Sequence, residues 1–230
     1  MKTSLIPLMQ LMQFTDSALP IGTFSFSNGL ETAAHAGLVH DADTLESYVR
    51  SITLQAAFTD GVAALHAHRA VRTDDYEALL HADRTLFLNK PNSETRLMQQ
   101  RMGRKLAELG IRLLPPGVMN RWLDDLRTGI TPGTYPATQG ILFARTGLSE
   151  EALFAALQYG TAGTVLNAAL RCVKVSHYDT QQILSRLHAY ADDLYEEARR
   201  MTLEDMNAFA PQADILATMH EKGTMRMFMN

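Results

Sequence analysis

Apolar residues return every three or four positions along almost all of this chain, and nowhere do they alternate in a strand-like rhythm of useful length. That periodicity is the strongest constraint on the fold, because a period of 3.6 cannot serve a sheet with one buried face. It predicts an all-α protein. With 230 residues, 46% hydrophobic and 20% charged, the chain is long enough to bury a sizeable helical core. No linker, low-complexity tract or fixed-period repeat divides it, so the expectation is a single-domain helical bundle over 1–230. To this it adds an ordered N-terminal loop and a C-terminal docking tail over 209–230.

Leu5, Leu8, Met9 and Met12 set the first helix, with Pro7 in its first turn. Asp16 to Gly29 then breaks the helical rhythm with Pro20, Gly22 and Gly29. A short helix follows and stops near Gly37. Asp43 reads as the cap of a helix carrying Leu45, Tyr48, Val49 and Ile52, which runs with a break near Gly61 to about Arg72. Thr73, ahead of Asp74 and Asp75, reads as the next cap. Pro91 ends that helix at Lys90, Asn92 or Ser93 starts another, and Gly110 ends it. Ser149 opens a long apolar helix in which Gly160 and Gly163 suggest close approach of a neighbour. Asp179 reads as the cap of the helix after it. The end, MRMFMN, places Met and Phe where a docking segment would carry them.

Several function classes lack their signatures. A net charge of −4 leaves no basic footprint for nucleic acid. No apolar run is long enough to span a membrane, and the N-terminal stretch lacks a small-residue cleavage site. The expected location is therefore cytoplasmic. The single cysteine, Cys172, reads as a small buried residue. His66 and His68 cannot share a helical face. His220-Glu221 lacks the second histidine of a zinc-protease motif, and no phosphate loop or nucleophile elbow occurs. Asp124-Asp125, Asp192-Asp193 and Glu196-Glu197 are sequence neighbours that diverge on a helix. No catalytic residue, resident metal or cofactor is indicated, and the chain does not read as an enzyme.

Two polar groups stand out. Arg101, Arg104 and Lys105 share one side of a helix that also carries Glu94 and Arg96; this stripe is either a solvated face or a site for an acidic partner. The loop DSALPIGTFSFSNGLE holds Phe24 and Phe26 among small residues, and such a loop is either tucked into the core or used for contact.

That loop resembles the N-terminal signature of the UreF family of urease accessory proteins, through Asp16, Ser17, Pro20, Gly22, Phe24, Ser27, Gly29, Leu30 and Glu31. Further segments resemble the family in the same order. These are SETRLMQQRMGRKL through Glu94, Arg96, Gly103 and Arg104, and TYPATQGILFA through Pro136 and Gly140. AALRCVKVSHYDTQQIL follows through Arg171 and Gln181, and MHEKGTMRMF through His220, Glu221, Arg226 and Phe228. The chain departs at Phe26, where the family often has His, at Ser176 and His177, and at Met219 and Met227.

The resemblance implies an all-helical, dimeric scaffold that binds a UreD/UreH-type accessory protein and the UreG-type GTPase. The assembly docks on apo-urease and delivers nickel with GTP hydrolysis. It implies partner-binding roles for Ser17, Pro20, Phe24, Phe26, Ser27, Glu31, Glu94, Arg96, Arg104, Arg171, Gln181, His220, Glu221, Arg226 and Phe228. Three other readings stand beside it. One is a regulator of the GTPase acting through an arginine or glutamine. The others are a helical protein that binds nickel by itself and a helical interaction module unrelated to urease.

Overall fold

The structure, a computed structural model, describes residues 5–207, 210–221 and 227–228. Every regular element among them is helical, so the all-α expectation holds. Helix α1 (Ile6–Thr15) leads through the loop, which contains one 3₁₀ turn (Thr23–Ser25), into α2 (Leu30–His35). Helices α3 (Ala42–Ala56) and α4 (Val62–Arg72) are joined by a π turn, Ala57–Gly61. Then come α5 (Tyr76–Asn89), α6 (Ser93–Leu113), α7 (Val118–Thr128), α8 (Tyr135–Thr146) and α9 (Glu150–Cys172). Helix α10 (His177–Leu187), a 3₁₀ turn (His188–Tyr190), α11 (Ala191–Ala198) and α12 (Pro211–Glu221) complete the order.

The caps show why the helices start where they do, and they correct several expectations. Asp41, not Asp43, caps α3: its carboxylate accepts the Thr44 N–H at 2.9 Å, and the Asp41 N–H donates to Thr44 Oγ1 at 3.1 Å. The reciprocal pair favours the earlier start, because Thr44 three residues on can return the bond. Thr73 closes α4, and Asp75 opens α5 by accepting the Ala78 N–H at 3.0 Å. Asn92 caps α6 as expected, accepting from Thr95 at 2.7 Å. Ser149 does the same for α9. Ser176 caps α10 and Asp179 is its reciprocal partner, one turn inside the helix.

The glycines behave differently from their sequence reading. Helix α6 passes through Gly110 to Leu113, and Gly110 lies against Met119 of α7. The break expected near Gly61 is a π turn, in which Gly61 sits against Phe154. The close approaches fall at Gly103 and Gly140. A methyl group on Gly103 would lie 2.1 Å from the Gly133 carbonyl oxygen, and one on Gly140 would lie 2.7 Å from that of Ala64. Gly160 and Gly163, expected to admit a neighbour, face open space within this chain.

Helix α8 is buried from Pro136 to Ala144, Thr138 and Gln139 included, and packs between α4 and α6. Around it lies the largest core, with Trp122, Phe143, Phe14 and Phe26. A second core joins α2, α3, α9 and α10, and takes in Leu216 of α12 and Phe228. The third gathers Leu65, Leu86, Phe154, Tyr195 and Leu203. Burying one such large side chain contributes about 1.5–3 kcal/mol.

Two carboxylates tie the cores together. Asp83, fully buried, accepts from Thr131 Oγ1, Gly133 N–H, Thr134 N–H and Thr134 Oγ1 at 2.6–2.8 Å. It thereby fixes the turn before α8. Asp60, presented by the π turn, meets Lys90 and accepts from Gln99 Nε2 at 2.6 Å. His68 is buried and donates through Nε2 to the Leu148 carbonyl at 2.9 Å.

Candidate interaction surface

The loop between α1 and α2 is an ordered structure held from both sides. Asp16 accepts the Ala18 N–H at 2.8 Å, and Gly22, Asn28 and Gly29 take positive φ values of 85°, 53° and 79°. Gly supplies that conformation at no steric cost, and Asn tolerates it better than most residues. Tyr48 of α3 donates its hydroxyl to the Asn28 carbonyl at 2.7 Å, and burial pushes that phenol's pKa up.

The two phenylalanines of the loop go opposite ways, one inward and one into solvent. Phe26 is buried in the main core, with Ile21 beside it in the same cluster. Phe24 is 74% exposed. Ser27 is buried, and Ser17 and Pro20 are exposed.

At the far end of the loop, Glu31 turns inward and is only 3% exposed. Its carboxylate accepts the N–H of Met227 at 2.7 Å and that of Phe228 at 3.1 Å. The Phe228 ring enters the second core and is itself buried. Arg171, in the last turn of α9, sets its guanidinium 4.1 Å from the Phe228 ring centre and donates through Nη2 to the Phe24 carbonyl at 2.9 Å. Burial pushes the neighbouring Cys172 thiol up to about 11, and the Glu31 carboxylate adds to that. A thiol at that value stays protonated and unreactive near neutral pH.

Four of the sequence-selected residues, Phe24, Glu31, Arg171 and Phe228, thus meet at one place. The others are spread over the body. Arg96 donates to the Lys90 carbonyl at 2.7 Å and stacks 5.5 Å from the Phe87 ring, bracing the corner between α5 and α6. Glu94 is half-buried near the start of α6. Arg104 is exposed on α6 with Glu108 at 3.4 Å, and Lys105 reaches the same carboxylate at 3.0 Å. Lys105 beside Glu108 holds that carboxyl below its usual range. Gln181 is exposed on α10. His220 and Glu221 end α12, with their side chains outside the described residues, and Arg226 lies outside them altogether.

Sequence reasoning missed one surface. Leu5, Ile6, Leu8, Met9 and Met12 all project into solvent, and only Phe14 of α1 is buried. The signal was available in IPLMQLMQF, which is apolar on more sides than one core-facing stripe needs. Contiguous apolar exposure of this kind marks contact sites. Among the described residues no group of three or more His, Cys, Asp or Glu is placed to hold a metal ion, and no helix is long and apolar enough to cross a membrane.

The fold and this site define an all-helical protein whose distinguishing features are exposed apolar side chains and the inward-facing groups that hold them in position. A sequence profile of the UreF family matches residues 39–188. The chain is 49% identical to the urease accessory protein UreF 2 of Brucella canis over 227 residues, covering 99% of this chain and 93% of that protein. UreF 1 of Brucella melitensis is likewise 49% identical over 227 residues, with 99% and 94% covered. UreF of Yersinia pseudotuberculosis is 41% identical over 223 residues, with 97% and 98% covered. The chain belongs to the UreF family of urease accessory proteins.

Proposed function

We propose that this protein acts as one all-helical domain and is a scaffold, not an enzyme, in nickel loading of urease. On this reading it works in the cytoplasm as a homodimer. It binds a UreD/UreH-type accessory protein and a UreG-type GTPase, and the assembly docks on apo-urease while GTP hydrolysis drives nickel insertion. The observation that carries the reading is the exposed apolar surface near both ends of the chain. It comprises the outer face of α1, Phe24 at the loop tip (74% exposed) and Met227 in the tail (58% exposed). A rigid helical body that leaves such side chains in water has surface to bury against other proteins.

The test is co-expression with UreD/UreH- and UreG-type partners, followed by pull-down with the full-length chain and with a chain cut before Phe209. The shortened chain is expected to lose the UreD/UreH-type partner, with a loss of helical circular dichroism no larger than the removal of α12 accounts for. Undiminished capture by the shortened chain would remove the docking role of the tail. For the alternative, direct regulation of the GTPase, the braced position of Arg96 leaves Arg104 and Arg171 as the exposed arginines to test by turnover measurements.

A further inference from the structure

We infer that Glu31 and Arg171 are positioning residues that fasten the end of the chain to the N-terminal loop, presenting Phe24 and Met227 together as one docking face; this rests on the docking role proposed for the tail. The contacts point to a device rather than a coincidence of packing. A buried carboxylate is costly unless hydrogen-bond donors surround it. Glu31 accepts two successive backbone N–H groups of the tail, at Met227 and Phe228. Because these donors are main chain, Glu31 fixes the path of the tail and not the identity of its side chains. The Phe228 ring supplies identity by filling the second core.

Arg171 then joins the tail to the loop. One guanidinium lies over the Phe228 ring and also donates to the Phe24 carbonyl. The loop tip is held by its backbone, so the Phe24 side chain is left outward. Met227, one residue from the buried ring, is outward as well. Two exposed apolar residues far apart in sequence are in this way tied to one arginine, Phe24 through its own carbonyl and Met227 through the neighbouring Phe228 ring. A partner surface that buries both gains a preformed patch and avoids ordering two separate segments on binding. The occupant this face fits is therefore an apolar surface of the partner that captures the tail.

The experiment uses the full-length protein with Glu31→Gln, Arg171→Met and Phe228→Ala. Arg171 is exposed, so Arg171→Met keeps the fold if Glu31→Gln does not, and retains an apolar stem over the ring. Hydrogen exchange of the peptide containing residues 227–228 is measured in the isolated protein, and capture of the UreD/UreH-type partner is measured in parallel. At least tenfold faster exchange of those amides is expected in Glu31→Gln and Arg171→Met. Capture should fall at least fivefold, toward that of Phe228→Ala. Unchanged exchange would show that no clasp exists. Faster exchange with full capture would show a clasp that positions nothing. If even the chain cut before Phe209 captures fully, the docking reading of the tail is what fails, and the exchange data still report on the clasp.

Discussion

Asp83 shows how much a single side chain can decide. Four donors converge on its carboxylate, from three residues 48 to 51 positions further along the chain. Asp83→Ala strands them in a dry interior. It is expected to cost at least about 3 kcal/mol, read as a lower urea midpoint at unchanged slope. Nothing local marks this residue, since an aspartate in an amphipathic helix reads as part of the solvated face. Its partners are named only by the turn that α5 meets in three dimensions. Phe24 and Phe26 are the converse case. Their sequence context states that a loop so apolar must be packed or used, and only the path of the backbone through Gly22 and Gly29 decides which ring does which.

At the level of helices, sequence patterning carried well because both the period and the capping chemistry are local. The start of α6 at Asn92 and the start of α9 at Ser149 were both readable. The errors came where two signals compete within three residues, as Asp41 competes with Asp43 and Ser176 with Asp179. They came also where a glycine's reason lies in another helix. Gly103 and Gly160 make the contrast measurable. Gly103→Ala drives a methyl group into the backbone at Gly133 and is expected to destabilise by about 3 kcal/mol or more in chemical denaturation. Gly160→Ala meets nothing within 4 Å and is expected to stabilise by about 0.5–1 kcal/mol through helix propensity alone. Equal losses at both positions would show that α9 is covered as tightly as α6.

For the molecule as a whole, the folded state should weaken at both extremes of pH. Hydrogen bonds from Thr44 to Asp41, from Arg186 to Glu46, from Lys105 to Glu108 and from Ser176 to Asp179 hold these carboxyls below their ordinary range. The unfolded chain then binds more protons, so stability is present above about pH 4.5 and falls as pH drops through the lowered values. Burial pushes Tyr195 up to about 12 and raises Tyr76, so above pH 10 the unfolded chain releases phenolic protons that the folded one retains. Stability should decline there too. Thermal melts from pH 3 to pH 11 are expected to trace a plateau with two falling arms, and a melting temperature still rising below pH 4 would contradict the acid arm.

The contact between Glu31 and Phe228 spans 197 positions. During synthesis Glu31 leaves the ribosome long before its counterpart has been made. Most of the helical body has the time to form first. The seam between Glu31 and Phe228 closes only after residue 228 has been made and has emerged, so a product terminated before it, however well folded elsewhere, lacks it.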